Sequence, residues 1–212
     1  MAIQVVSAQV QALLGISSAT LTTIDADLDT WLNNGYKEIV NILPPYMYDS
    51  IATETNTADA TSLQNLTTTK VLSVMRMSPS GYKTCRPVTS DMRGRIEDED
   101  DLHYATADDP VWFWGSLGNL TVKPNSSDIL VRHIAYPISL NADSGSNAIA
   151  NLPDEAEPAL VLYVAVKAGE YLLANEEDME LLTPIIGNLK DDYMRSVNAL
   201  NGLTTTQQGA RG

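Results

Sequence analysis

Hydrophobic residues recur at helical spacing in the first part of the chain. They stand at Ile24, Leu28, Trp31, Leu32, Ile39, Val40 and Leu43. Pro44 and Pro45 end this pattern, because proline cannot continue a helix. Thr22 and Thr23, just before Asp25, are residue types that cap helix N-termini, so they predict the start of the helix. A shorter helical pattern, from Ile3 to Leu14, stops at Gly15. The N-terminal segment therefore predicts a pair of helices.

The C-terminal segment also has helical spacing. Residues Leu160 to Ala174 are apolar on nearly all sides, which predicts a helix that is buried on most faces. A second helix then has one apolar side, formed by Met179, Leu182, Ile186, Leu189, Tyr193, Val197 and Leu200. Pro184 either kinks this helix or marks its start.

The middle of the chain has the short, β-branched and aromatic runs that are typical of strands. These runs are Lys70–Met77, Tyr82–Val88, Val111–Trp114, Asn119–Lys123 and Asp128–Tyr136. Clusters rich in Ser, Gly, Asn and Pro separate them and predict turns. A Ser/Asn/Ala/Gly stretch, Asn141–Ala150, predicts a linker back to the helices.

These patterns predict an α+β fold: an α-helical bundle built from the N- and C-terminal segments, with an inserted small antiparallel β-rich domain. The predicted parts are N-terminal helices at 1–60, the β-rich domain at 61–150, C-terminal helices at 151–200 and an extended tail at 201–212. The polar tail sequence, LTTTQQGARG, has the composition of a chain without its own core.

Composition and net charge exclude several classes of protein. The 212 residues are 44% hydrophobic, include one cysteine, and carry a net charge of −14. An acidic chain of this kind does not wrap nucleic acid through a broad basic surface, and a single cysteine excludes an internal disulfide framework. The N-terminus lacks the basic region of a secretory signal. No run of consecutive apolar residues is long enough to span a membrane. We therefore expect the protein to be synthesised and folded in a cytoplasm.

The charges are unevenly distributed along the chain. Residues 1–60 hold one base against seven acids, residues 61–150 hold eight against ten, and residues 151–212 hold four against ten. Within the middle segment, residues 70–95 carry six bases and one acid, whereas 97–109 carry seven acids and no base. Two interpretations stay open: ion pairing within one domain, or electrostatic complementarity between adjacent copies.

Candidate catalytic and metal chemistry is sparse. The carboxylate run from Glu97 to Asp101, with His103 beside it, could hold a metal only if its side chains converged, and consecutive carboxylates usually point into water. Asp25, Asp27 and Asp29 resemble the start of a calcium loop, but its later Gly and Glu positions are Thr30 and Tyr36. No nucleotide-binding or hydrolase motif is present. We therefore expect no metal, no cofactor and no enzymatic activity.

Two further features concern apolar residues. Cys85 has no histidine near it in sequence and lies in a predicted strand, which favours a small core or surface residue over a nucleophile. Three aromatic residues lie in Val111–Trp114, so both faces of that strand need cover. The cover comes either from the domain's own core or from a partner.

The order of these parts resembles the head-to-tail adaptor proteins, also called neck or connector proteins, of tailed bacteriophages. The stretches that carry the resemblance are Asp29–Pro45, Lys70–Met77, Cys85–Val88, Asp109–Trp114, Leu120–Asp128, Val131–Pro137 and Leu152–Leu200. Together they span most of the chain.

The resemblance implies a structural virion protein that forms a ring, usually of about twelve copies, beneath the portal. Such a ring receives the tail and continues the DNA channel without sequence-specific DNA binding. A portal-binding tail would then comprise Leu203, Thr204, Thr205, Thr206, Gln207, Gln208 and Arg211. Candidate inter-subunit or tail-facing residues are Arg86, Arg93, Arg95, Glu97, Asp98, Glu99, Asp100, Trp112 and Trp114.

Three alternatives remain at this point. The nearest is another virion role, as a tail-completion, tail-terminator or tail-tube protein. A metal-dependent hydrolase using His103 and the acidic run, or an acidic cytoplasmic binding module, would instead predict no large ring.

Overall fold

A computed structural model of the chain describes residues 5–60, 62–63, 69–115, 118–125, 127–136, 140–143, 152–175 and 179–208, without the side chains of 58–60, 62–63, 179 and 203–208. The described residues form the α-helices α1 Val6–Leu14, α2 Ser18–Ile42, α3 Arg93–Ile96, α4 Glu157–Ala174 and α5 Met179–Gln208. They also form the strands β1 Thr53–Ala60, β2 Ser62–Leu63, β3 Thr69–Ser78, β4 Gly81–Thr84, β5 Arg86–Pro87, β6 Val111–Trp114, β7 Leu120–Lys123 and β8 Ser127–Ala135.

The chain divides into two compact units. The helical unit comprises Met1–Ile51 and Pro137–Gly212, and the β unit comprises Ala52–Tyr136. Helices and mainly antiparallel sheets confirm the predicted α+β fold, although one strand pair of the second sheet is parallel. The predicted boundaries at 60/61 and 150/151 both lie later than the limits of the β unit. The first is late because the polar sequence of β1 carries no alternating apolar signal.

Helix α2 begins earlier than the sequence predicts. The Ser17 hydroxyl accepts a hydrogen bond from the Thr20 backbone N–H at 3.1 Å, so Ser17 is the N-cap. The predicted start at Thr22 and Thr23 is therefore wrong, because these threonines lie inside the helix and their hydroxyls donate to backbone carbonyls one turn earlier. The helix ends at Ile42, ahead of Pro44, as predicted.

Helix α4 is the central helix of the helical unit. It contacts α1, α2 and α5, and Leu160, Ala165 and Ala168 have no exposed surface. This arrangement confirms the prediction from its nearly all-apolar sequence. Full burial of each large aliphatic side chain contributes roughly 1.5–3 kcal/mol, so this helix supplies much of the stability of the unit.

Two glycines allow the helices around α4 to approach closely. A Cβ added at Gly35 of α2 would lie 2.5 Å from the Tyr163 ring, and one added at Gly169 of α4 would lie 2.6 Å from Cγ1 of Ile186. A side chain at either position would therefore push α2 or α5 away from α4.

The β unit contains two four-stranded sheets. The first sheet has the strand order β1-β8-β3-β4 and is antiparallel throughout. The second sheet has the order β2-β7-β6-β5, with β5 and β6 parallel. A buried cluster joins the inner faces of the two sheets, and it consists of Val74, Cys85, Leu120, Val122, Ile129 and Val131.

The strands differ from the prediction in two places. The single predicted strand Tyr82–Val88 is divided at Cys85, where the chain leaves β3 of the first sheet and joins β6 of the second. The sequence pattern predicts neither β1 nor β2, because their residues are mostly polar or small. The other predicted strands lie within one or two residues of β3, β6, β7 and β8.

The C-terminal segment continues as helix beyond the predicted limit. Helix α5 runs through Pro184 to Gln208, so residues 201–208 are helical and not extended. Adding residues to an existing helix gains one hydrogen bond for each residue fixed, which a polar sequence can satisfy. Residues 209–212 of the predicted tail lie outside the described residues. None of the described helices combines the length and apolar content needed to cross a membrane.

Substitution of Gly169 should separate α4 from α5. We expect Gly169→Ala to lower the free energy of unfolding by about 1–3 kcal/mol, because the new methyl group overlaps the Ile186 side chain. The matched control is Gly187→Ala at an exposed position of α5, where nothing lies within 4 Å of the added Cβ. That change should stabilise the protein by up to about 1 kcal/mol. Urea denaturation measures both, and equal effects of the two changes would contradict the close-packing role of Gly169.

Candidate functional site

Four of the seven charged candidate inter-subunit residues, all in the β unit, take part in ion pairs within the chain. Ion pairs join Arg86 to Asp109 at 3.1 Å and Arg95 to Asp101 at 2.9 Å. Glu97 pairs with Lys123 at 2.9 Å and more loosely with Arg93 at 3.5 Å. The bases of residues 86–95 and the acids of residues 97–109 are therefore neighbours in space as well as in sequence.

These pairs support the interpretation of ion pairing within the domain. Arg86, Arg93 and Arg95 each face a carboxylate of the same chain, so less of their charge remains for a neighbouring copy. Exposed pairs of this kind contribute only about 0–1 kcal/mol each, and their effect is to fix the loop that carries the acids. Their role between subunits stays a prediction.

The acidic segment 97–109 is a structured loop. The Asp98 carboxylate accepts a hydrogen bond from the Asp100 backbone N–H at 3.1 Å, and Asp101 accepts one from the His103 backbone N–H at 2.8 Å. The Tyr104 hydroxyl donates to Glu99 at 3.4 Å. At the tip, Leu102 is 95% exposed. Sequence reasoning missed this apolar residue, because it concentrated on the charges around it.

The base of the same loop covers one face of the second sheet. Ile96 and Ala105 are buried against Val111 and Phe113 of β6, and the Ala105 backbone N–H donates to the Ile96 carbonyl at 3.0 Å. The acidic residues therefore lie above a small apolar core, which holds the loop in place.

The aromatic residues of β6 are covered mainly by the chain itself. Trp112 packs against the cluster between the sheets, while Val111 and Phe113 face the loop. Trp114 is 40% exposed, and its ring lies 5.9 Å from that of Trp112 in a T-shaped arrangement. The domain therefore covers both faces of β6 over Val111–Phe113. The last residue of the strand, Trp114, is the aromatic residue of β6 that stays exposed and open to a partner.

The candidate metal ligands do not converge. Among the described residues, no group of three or more His, Cys, Asp or Glu side chains is placed to hold a metal ion. Within the acidic run, Asp101 is paired with Arg95 and Glu97 is paired with Lys123. His103 is half-buried, and its backbone rather than its ring supports the loop.

One aspartate of the calcium-like pattern, Asp29, instead positions the returning chain. Asp29 accepts a hydrogen bond from the Ala142 backbone N–H at 2.7 Å. The Asn33 side chain accepts from the Leu140 N–H at 3.0 Å and donates to its carbonyl at 3.3 Å. The carboxylate of Asp143 raises the pKa of Asp25. Residues 140–143 are therefore fixed on α2, a contact across more than 100 residues that no local pattern predicts.

Cys85 and His133 are both buried in the β unit. Burial raises the pKa of the Cys85 thiol to about 12, so the reactive thiolate is scarce at neutral pH. His133 shares a hydrogen bond between its Nε2 and the Thr55 hydroxyl at 2.9 Å, and burial lowers its pKa. Of the two roles that the sequence left open for Cys85, core or surface, the structure shows the core.

A polar network holds the middle of α5 to the helical unit. The Tyr193 hydroxyl donates to Glu38 of α2 at 2.9 Å, and Lys190 pairs with Glu170 of α4 at 2.9 Å. Burial raises the pKa of Glu170, but hydrogen bonds from Lys190 and Lys167 outweigh this effect and hold it below its usual value. The side chains of residues 203–208 and all of Arg211 lie outside the described residues, so the predicted portal-binding contacts stay a prediction.

Acid should weaken the acidic loop, because its paired carboxylates Glu97 and Asp101 have lowered pKa values. A hydrogen bond from Lys123 lowers the pKa of Glu97 below its ordinary 4.5. This pair therefore stabilises the fold above that pH and loses its effect as the pH falls through the lower folded-state value. We expect Glu97→Gln to flatten the fall in Tm between about pH 5 and pH 3.

The control for this change is Asp98→Asn, which keeps the side-chain acceptor for the Asp100 N–H. This variant should retain the wild-type dependence of Tm on pH. Calorimetry over the acid range measures all three proteins. A wild-type slope in Glu97→Gln would contradict the proposed contribution of the pair.

The thiol of Cys85 should react only when the β unit opens. We expect a thiol reagent to modify the native protein at least about 100-fold more slowly than the urea-unfolded chain, because Cys85 is 3% exposed and its pKa is raised. Absorbance of the released chromophore measures both rates. Equal rates in the two states would show that Cys85 is accessible in the native protein.

Comparison with known protein families shows which family the chain belongs to. Residues 1–211 match the model of the family described as SU10 adaptor protein. A search of curated proteins finds no match to this sequence. Because the match covers nearly the whole chain, and the helical and β units occur in the predicted order, the chain belongs to the SU10 adaptor protein family and is a structural head-to-tail adaptor of a tailed bacteriophage.

Proposed function

We propose that copies of this chain form a ring in the virion neck, between the portal and the tail, and that the ring continues the channel through which DNA passes. The ring has about twelve copies, as the resemblance to adaptor proteins implies. The portal protein and a tail protein are the partners at its two ends. The ring acts as a structural connector and catalyses no reaction.

The observation that carries this proposal is the length of α5 relative to α4. Helix α5 has 30 residues and α4 has 18, which correspond to about 45 Å and 27 Å. The two helices are antiparallel, because Ile186 meets Gly169 and Tyr193 meets Tyr163. Continuing this alignment brings Leu200 level with the start of α4, so the helix beyond Leu200 extends past α4.

The extension suits a docking element. Leu200 is the last buried residue described in α5, and the network of Tyr193 and Lys190 fixes the helix before that point. A helix that leaves a rigid bundle is already ordered, so less conformational entropy is lost when it binds. The portal is the partner that the resemblance assigns to this end of the chain.

The charge distribution suits a channel wall. The helical unit holds 16 of the 27 acidic residues and only five of the 13 basic ones. Its excess of carboxylates would repel DNA phosphates and let the duplex slide, since affinity for DNA depends on cations that neutralise phosphate. The β unit, with eight bases and 11 acids, is closer to neutral.

Removal of the helical extension tests portal binding. We expect a chain that ends at Leu200 to bind the portal at least about tenfold more weakly, a loss of about 1.4 kcal/mol or more. Its far-UV dichroism should show a folded bundle, because α4 and the buried part of α5 remain. Binding is measured on immobilised portal protein.

A chain that ends at Gln208 is the matched control, because it keeps the helical extension and lacks only the last four residues. If this control loses binding as fully as the shorter chain, residues 209–212 are the docking element and not the helix. Unchanged binding by the chain that ends at Leu200 would contradict portal docking through this segment. Imaging of particles places the protein along the virion axis and separates a neck adaptor from a tail-tube protein.

A further inference from the structure

The first sheet of the β unit ends in two unlike edge strands, β1 and β4. We propose that β4 of one copy pairs with β1 of the next copy, so that the first sheets of neighbouring copies join edge to edge. This inference rests on the proposed ring and names the contact that closes it. The partner is a second copy of this chain, and the recognition is by backbone hydrogen bonds.

The outward backbone groups of β4 follow from its hairpin with β3. The Cys85 N–H donates to the Val74 carbonyl at 2.8 Å. In an antiparallel pair, residues alternate between those that bond to the neighbouring strand and those that point away from it. Lys83 therefore bonds to β3, whereas Tyr82 and Thr84 direct their N–H and C=O groups outward.

The same alternation fixes the outward groups of β1. Met75 of β3 is opposite Leu130 of β8, and it bonds to β8 because Val74 bonds toward β4. Val131 then bonds to Thr55 of β1, its partner in the register. The backbone groups that point outward from β1 consequently belong to Glu54 and Asn56.

Both edges are accessible in the described part of the chain. Glu54, Asn56, Tyr82 and Thr84 are exposed, and no described strand pairs with the outer side of β1 or β4. The Asn56 side chain donates to the Tyr82 hydroxyl at 3.4 Å, a contact that does not involve the backbone of either strand. Neither strand contains proline, which is a common device against edge pairing. Each strand thus presents backbone donors and acceptors to another chain.

The geometry of the two edges is compatible with continuous pairing. All neighbours in the first sheet are antiparallel, so β1 and β4 run in opposite directions. Copies related by rotation about an axis along the strands would therefore meet with β4 antiparallel to β1. The side chains of Glu54, Asn56, Tyr82 and Thr84 all lie on the same face of the sheet, so that face would continue across the joint.

One register satisfies all these groups. Tyr82 opposite Asn56, and Thr84 opposite Glu54, lets each outward residue exchange two hydrogen bonds with its partner. In this register β4 stays clear of the irregularity in β1 between Thr57 and Ala60.

Pairing of unlike edges is what a ring requires. Contact between two different surfaces is heterologous, and it generates a closed ring when the rotation between copies closes. Pairing of β1 with β1, or of β4 with β4, would be isologous and would stop at two copies. The edge that is used therefore determines whether the chain forms a ring or a dimer.

Engineered cysteines test the register directly. In the variant Glu54→Cys/Thr84→Cys, oxidation should link neighbouring copies into a ladder that reaches the full ring on a non-reducing gel, while each single variant should stay unlinked. A bond within one chain is excluded, because two strands separate the edges and place them roughly 14 Å apart, beyond the Cα reach of a disulfide, about 7 Å. Buried Cys85 does not compete.

The matched control is Glu54→Cys/Lys83→Cys. Lys83 is adjacent to Thr84 but its side chain lies on the opposite face of the strand, so this pair should not link. Native mass spectrometry of the wild-type and variant chains, alone and with portal protein, gives the copy number before oxidation.

The outcomes separate the edge contact from the ring. A ladder in the first double variant alone supports the inference. Dimers formed by Glu54→Cys or by Thr84→Cys alone would overturn it in favour of pairing between like edges. An intact ring without a ladder would overturn the edge contact, or assign these edges to a strand of another protein, and leave the ring standing. Absence of any ring in the wild-type chain would overturn the proposed ring itself.

Discussion

Helix α4 carries apolar side chains around nearly its whole circumference, so it reaches low free energy only when other helices cover it on several sides. Helices α1 and α2 come from one end of the chain, and α5 comes from the other. Burial of α4 therefore brings the two ends together and makes the β unit an insertion. Gly35 and Gly169 set how closely the covering helices approach, because a side chain at either position would separate them.

The charges around the acidic loop form ion pairs within the β unit. Arg86 and Arg95 are paired with carboxylates of that loop, and the base of the loop covers β6. Other described features that are open to partners include exposed Leu102 at the loop tip, exposed Trp114 and the two edge strands of the first sheet.

The sequence predicted the fold class because its periodic signals are strong where burial is strong. The apolar run of α4, the spacing in α2 and the aromatic run of β6 each determined an element correctly. The signals failed at polar positions. Strand β1 lies at an edge and has no apolar alternation, and the end of α5 has the composition of a tail although its backbone is helical. Long-range contacts such as Asp29 to Ala142 and Glu97 to Lys123 leave no local trace.

The sequence by itself determined that this is an acidic, α+β structural protein whose order of elements matches a phage adaptor. It could do so because hydrophobic periodicity and composition are properties of neighbouring residues. Only the tertiary structure decided which charges pair, which aromatic residue of β6 stays open and which backbone groups at the sheet edges point outward. These depend on residues that lie far apart in the chain and meet only after folding. A polar edge strand such as β1 also has no apolar pattern by which its sequence could specify the register.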